Sequence, residues 1–228
     1  MQLKKVVVIE RPEMDNQQLN LPQDIPKPGA QAIRMPWFVY WISYRRRVKA
    51  LQRISVNTGD IVFLGDSLTQ WVDWENEFPN LPVRNFGIAG DTSYGVLSRL
   101  HQFKYQKPAK VFLLIGTNDM FTFQRVSMDE LLKNIVEILG QIRSASPYTK
   151  IYLQSIFPRQ IKWADQIRLL NSKIRSLALQ SDIVYIDVWP LLEDGAGGLR
   201  KELTRDRLHL KDEGKRIWVD CLRPYVEN

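Results

Sequence analysis

Five short apolar runs rich in β-branched residues recur along the chain, at Ile61 to Leu64, Val83 to Phe86, Val111 to Ile115, Ile151 to Ile156 and Ile183 to Val188. None alternates apolar with polar residues, so each is expected to be a strand buried on both faces. Amphipathic stretches near residues 68 to 77, 93 to 104, 128 to 144, 162 to 180 and 211 to 225 separate or follow the runs. Strands buried on both sides need a helical layer on each side. The pattern therefore predicts an α/β fold, a doubly wound five-stranded parallel sheet inside a three-layer α/β/α sandwich. In such sheets ligands bind beyond the carboxyl ends of the strands, so the residues just after each run come first.

Upstream of the sheet the pattern differs. Residues 1 to about 34 carry clustered turn signals, as in Leu21-Pro-Gln-Asp-Ile-Pro-Lys-Pro-Gly, and are expected to form an irregular arm. Trp37, Trp41, Tyr44, Val48 and Leu51 follow at spacings of four, three, four and three, one face of a helix entered through Pro36. That helix either packs on the domain or lies in a membrane interface, and packing is the expectation because apolar stripes at helical spacing usually face a core. The chain is thus divided into residues 1–56, arm and helix, and residues 57–228, the main domain.

The formal charge of +7 would favour an anionic partner, but Arg45-Arg46-Arg47 is the one basic run and no nucleic-acid-binding spacing accompanies it. Nucleic acid is therefore not expected as a partner, and peripheral membrane contact is the lesser reading. No apolar run approaches the length of a membrane span or of a secretory signal, which makes a cytoplasmic location the expectation. A single cysteine, Cys221, has no internal partner for a disulfide and is expected in the core.

Three strand ends carry Gly65-Asp66-Ser67-Leu68, Gly87-Ile88-Ala89-Gly90-Asp91-Thr92-Ser93 and Gly116-Thr117-Asn118-Asp119. Ser67 at a strand-to-helix junction is either a nucleophile beside backbone N–H groups or simply a helix cap. A nucleophilic serine needs a base, and the sequence holds two histidines. His101 falls inside a helical stretch without an acid at a useful spacing. His209 follows the last strand, and Asp206 three residues earlier can reach its Nδ1, leaving Nε2 to take a proton from Ser67. That carboxylate is expected to raise the imidazole above about 6.5. Donors for a developing oxyanion are available from the Ser67 N–H, the Gly90 N–H and the Asn118 side chain. Asn118 could equally support a turn, and Gly90 could equally serve a positive φ.

The segments Ile61-Val-Phe-Leu-Gly-Asp-Ser-Leu-Thr, Asn85-Phe-Gly-Ile-Ala-Gly-Asp-Thr-Ser, Leu114-Ile-Gly-Thr-Asn-Asp and Asp206-Arg-Leu-His resemble, in order, the four blocks of the SGNH (GDSL) hydrolases. Ser67, Gly90, Asn118 and His209 match the four residues that name the family. The resemblance spans roughly residues 57 to 226 and is most similar to the platelet-activating-factor acetylhydrolase-like branch. It implies strand order 2-1-3-4-5 and ester hydrolysis without a metal or an organic cofactor. One departure is that Leu208 and Leu210 flank His209 where many members carry a small residue and a proline.

The implied reaction is attack by Ser67 on an ester carbonyl, with His209 as base and Asp206 orienting it. Asp66 and Asp119 are expected to tie loops together through backbone N–H groups. Trp71, Phe121, Phe123 and Phe157 are the bulky residues available to wall a shallow pocket, so the expected substrate is a short-chain acyl ester, an acetylated sugar or lipid. A lysophospholipase or thioesterase, or an acyltransferase with the same triad, remains the alternative.

Overall fold

The structure, a computed structural model, describes residues 37–103, 107–121, 126–181 and 183–228; the arm expected over residues 1 to 34 lies outside them. The elements follow in the order α1 (Trp37–Leu51), β1 (Ile61–Gly65), α2 (Ser67–Gln70), α3 (Trp74–Glu77), β2 (Val83–Gly87), α4 (Ser93–Arg99) and β3 (Lys110–Leu114). There follow α5 (Thr117–Phe121), α6 (Met128–Ala145), β4 (Lys150–Gln154), α7 (Ala164–Gln180), β5 (Val184–Ile186), α8 (Trp189–Leu192) and α9 (Asp212–Glu227). All strand pairings are parallel and the order is β2-β1-β3-β4-β5. This is the doubly wound sheet that the apolar runs predict, in the order that the resemblance implies.

Burial on both faces holds where a strand has neighbours on both sides. Every residue of β1 and β3 is buried, whereas edge strand β5 is short and leaves Val184 exposed. The helix expected over 68 to 77 is two helices. Trp71 caps the first, and the Asp73 side chain accepts the Asn76 N–H to start the second, a local bond that interrupts one continuous helix. The stretch from 93 shortens in the same way, ending at Arg99 and tightening into a 3₁₀ turn over Leu100–Phe103. Helix α6 starts at Ser127, whose hydroxyl accepts the Glu130 N–H, with acids in its first turn and Arg143 in its last.

Sheet register aligns aromatic residues across one face. Phe63 pairs in register with Phe112, and Phe112 with Tyr152. Their rings stack at centroid distances of 5.1 Å and 4.4 Å, and Trp74 of α3 lies flat on Phe63 at 3.6 Å. Trp218 of α9 meets Trp74 edge-on and donates its indole N–H to Gln154 Oε1, so the large ring is buried without losing its hydrogen bond. This aromatic layer fixes α3 and α9 against the strands whose carboxyl ends carry Ser67 and Asn118.

Helix α1 spans the residues predicted for it and docks on the domain. Leu51 is fully buried, Tyr44 and Val48 pack against the core, and Trp41 remains partly exposed beneath the Arg45 guanidinium. Arg47 turns inward, donating to the carbonyls of Gly87 and Asn85, so the basic run is not one continuous surface charge. Replacing Leu51 by Ala should cost about 2–5 kcal/mol of unfolding free energy in urea. A loss below about 0.5 kcal/mol would mean that α1 does not pack as described.

Candidate active site

Ser67 is the first residue of α2, directly beyond β1, and Asp66 caps that helix by accepting the Leu68 N–H on Oδ1 at 2.9 Å. The cap leaves Ser67 almost buried, with Oγ 3.0 Å from His209 Nε2. On the far side of the ring, His209 Nδ1 lies 2.6 Å from Asp206 Oδ2. The sequence separation between Ser67 and His209 is closed by the turn before α9. Thr204 and Leu210 form an isolated antiparallel bridge, and Arg207 takes a left-handed φ of 63° between them. Leu208 and Leu210, the departures from the family pattern, are both buried, and Leu210 joins the loop to the core.

Asp206 is held from several directions. Its Oδ1 accepts the backbone N–H groups of Leu208 and His209, and Oδ2 faces the imidazole. Burial alone would raise its carboxyl; the His209 backbone and side chain and the Leu208 N–H outweigh that, leaving it below the usual carboxylate range. His209 behaves otherwise. Burial pushes its imidazolium down and Arg159 nearby adds to the effect, so the stabilisation from Asp206 does not restore the ordinary value. The expected upward shift is corrected: desolvation of the ring exceeds the attraction of one half-exposed carboxylate.

The other two loops meet beside this dyad. Asn118, in the first turn of α5, donates from Nδ2 to the Asp91 carbonyl at 2.9 Å. Asp91 follows Gly90, which takes a positive φ of 73°. Asp119 accepts the Ser93 N–H, and Arg99 joins Asp91 at 2.8 Å and the Gly65 carbonyl at 3.2 Å, linking the β1, β2 and β3 ends. Asp119 thus ties two loops through a backbone N–H as expected, whereas the Asp66 bond is local, a cap within its own turn, and burial pushes the two carboxyls up to about 6 and about 7.

The cleft beside Ser67 opens to solvent and is lined by Leu68, Trp71, His209, Leu210, Lys215 and Trp218. Trp71 is a wall residue, half exposed, with its ring 4.2 Å from that of His209. Phe157 is not. It is 2 % exposed and sits edge-on against Trp218 in the core, because the chain after β4 turns its ring under α9. The Phe121 side chain and all of Phe123 lie outside the described residues. His101 is exposed, with Nδ1 3.0 Å from the Ser98 carbonyl, away from the dyad's bonding network. Among the described residues no group of three His, Cys, Asp or Glu could hold a metal ion, and no helix is long and apolar enough to cross a membrane.

The sequence profile of the GDSL-like Lipase/Acylhydrolase family matches residues 63–217. The chain belongs to that family. It is 32% identical over 166 residues to platelet-activating factor acetylhydrolase IB subunit alpha2 of Homo sapiens, covering 68% of this chain and 70% of that one. Among solved structures it is similar to a protein from Streptococcus pneumonia described as a candidate platelet activating factor, at 28% identity and a TM-score of 0.75, covering 83% of this chain and 95% of that one. An acetylxylan esterase from Geobacillus stearothermophilus shares the fold at 19% identity, with a TM-score of 0.60 and coverage of 75% and 95%. Membership places the chain in a family of acylhydrolases, which points to hydrolase activity.

Two residues near the dyad escape the sequence reading. Lys215, on α9, has no motif to announce it. Arg159 does have a signal, since it follows the end of β4; its Nη1 donates to Thr117 Oγ1 at 3.2 Å, and its charge acts on Asp66, Asp206 and His209.

With two histidines in the chain, an NMR titration resolves the His209 ring directly. Its inflection should fall below about 6.5, and Asp206→Asn should move it lower still, because the carboxylate favours the charged ring. A wild-type inflection above about 7 would contradict the dominance of burial.

Proposed function

We propose that the chain hydrolyses short-chain acyl esters through an acyl-enzyme on Ser67. The observation that carries this reading is the continuous line from Asp206 Oδ2 through both nitrogens of His209 to Ser67 Oγ, at 2.6 Å and 3.0 Å. Because Asp206 lies on Nδ1, the neutral ring has its proton there and a lone pair on Nε2 aimed at the hydroxyl. Ser67 Oγ attacks the ester carbonyl carbon as His209 Nε2 takes its proton. The tetrahedral intermediate then expels the alcohol oxygen, which receives that proton from the imidazolium. Water, deprotonated by the same nitrogen, attacks the acyl carbon and releases the acid and Ser67.

The developing oxyanion would be met by the N–H groups of Ser67 and Gly90 and by Asn118 Nδ2. One N–H of Asn118 is engaged with the Asp91 carbonyl, which fixes the amide plane and leaves the second for the oxyanion. A low histidine pKa keeps the base neutral at physiological pH. No step requires a metal or an organic cofactor.

The open cleft with Trp71 as its wall suits an acetyl or similarly short acyl group, with Trp71 beside the leaving alcohol, and the acetylhydrolase relative agrees with this reading. Longer chains would project into solvent, where each added CH₂ gains little of its ~0.8 kcal/mol of burial. Measured across p-nitrophenyl esters from acetate to palmitate, kcat/KM should be greatest for the shortest acyl groups. Ser67→Ala should lower it by at least about 10³-fold throughout. An optimum at eight carbons or more would replace the short-acyl reading with a lysophospholipase or thioesterase role. Retention of more than about a tenth of the activity by Ser67→Ala would remove Ser67 as nucleophile.

A further inference from the structure

We infer that Tyr44, on α1, is a positioning residue for the oxyanion-binding amide of Asn118, acting through Asp91. The inference rests on the role proposed above for Asn118.

Three contacts form the route. The Tyr44 hydroxyl donates to Asp91 Oδ1 at 2.9 Å. The same carboxylate accepts the Thr92 N–H on Oδ1 and Arg99 Nε on Oδ2, so its two oxygens are bonded from three directions and the residue has little freedom to rotate. The backbone carbonyl of Asp91 accepts Asn118 Nδ2. Any tilt of Asp91 therefore moves the acceptor that sets the plane of the Asn118 amide.

The backbone is shaped to permit this approach. A Cβ on Gly95 would stand 1.8 Å from Asp91 Oδ1 and 2.7 Å from the Tyr44 hydroxyl, so only glycine lets the phenol, the carboxylate and α4 converge. Arg47, about one helical turn beyond Tyr44, adds a second tie, to the end of β2, by donating to the Gly87 and Asn85 carbonyls. Helix α1 lies before the segment that the family profile matches, yet it bonds both to the end of β2 and to Asp91 in the loop that follows. The helix thus contributes to the chemistry by fixing geometry, without touching substrate.

Removal of one hydroxyl should loosen Asp91 without emptying its site, since Arg99 and the Thr92 N–H remain. The test is a double-mutant cycle in the full-length protein with p-nitrophenyl acetate, using Tyr44→Phe, Asn118→Ala and the pair. Tyr44→Phe should lower kcat about 5- to 20-fold with KM within about twofold, less than the full worth of a hydrogen bond to a charged group because Asp91 keeps its other partners. In the Asn118→Ala background the same change should alter kcat by less than about twofold, because the group it positions is gone. Urea unfolding midpoints verify that each variant is folded.

Wild-type kcat in Tyr44→Phe, or an equal loss in both backgrounds, would overturn the inference and leave Tyr44 as a packing residue. Labelling of the wild type with a fluorophosphonate separates this from failure of the underlying reading. Loss of label from the Ser67 peptide would remove the reading and the inference together, whereas a labelled Ser67 with an additive cycle would remove the inference alone.

Discussion

An ion pair withdrawn from water, Arg99 with Asp91, joins the three loops on which the site stands. Both side chains are 1% exposed and the closest approach is 2.8 Å. Removing either partner would leave a buried charge uncompensated, at a cost of about 3–5 kcal/mol. Arg99 also reaches the Gly65 carbonyl two residues before Ser67, and Asp91 connects to Tyr44 through its carboxylate and to Asn118 through its carbonyl. The ends of β1, β2 and β3 are thereby referenced to one charged pair, which a low-dielectric interior keeps rigid. A site assembled from residues far apart in sequence needs some such common reference.

Much of this arrangement is legible in the amino-acid sequence. The five apolar runs, alternating with amphipathic stretches, point to buried parallel strands covered by helices, and the strand-end rule then points to Ser67, Gly90 and Asn118. With two histidines available, the short spacing from Asp206 to His209 singled out the pair that the structure brings into contact. The less legible parts depend on distances that no local pattern encodes. Phe157 follows a strand end just as Asn118 does, but its ring turns beneath Trp218, and the face a residue takes after a strand is decided by what packs there. Lys215 enters the cleft because α9 lies on the aromatic layer, a tertiary fact.

Tyr44 and His209 illustrate the same limit in energetic terms. The helical stripe identifies Tyr44 as core-facing, and its ring does pack there, but the destination of its hydroxyl is a carboxylate 47 positions away. For His209 the sequence displays the favourable partner, Asp206, and conceals the desolvation that opposes it. Burial is a property of the whole fold, so a pKa direction inferred from neighbours in sequence alone can take the wrong sign.

The central claim is that Ser67 becomes covalently acylated during turnover. Its most direct test is rapid acid quenching of the protein after mixing with p-nitrophenyl acetate, followed by peptide mass spectrometry. An acetyl group should appear on the peptide that contains Ser67 before product release reaches its steady rate, and should disappear as substrate is exhausted. Steady turnover with that peptide unmodified at every time, or with the acetyl group on another side chain, would contradict the account.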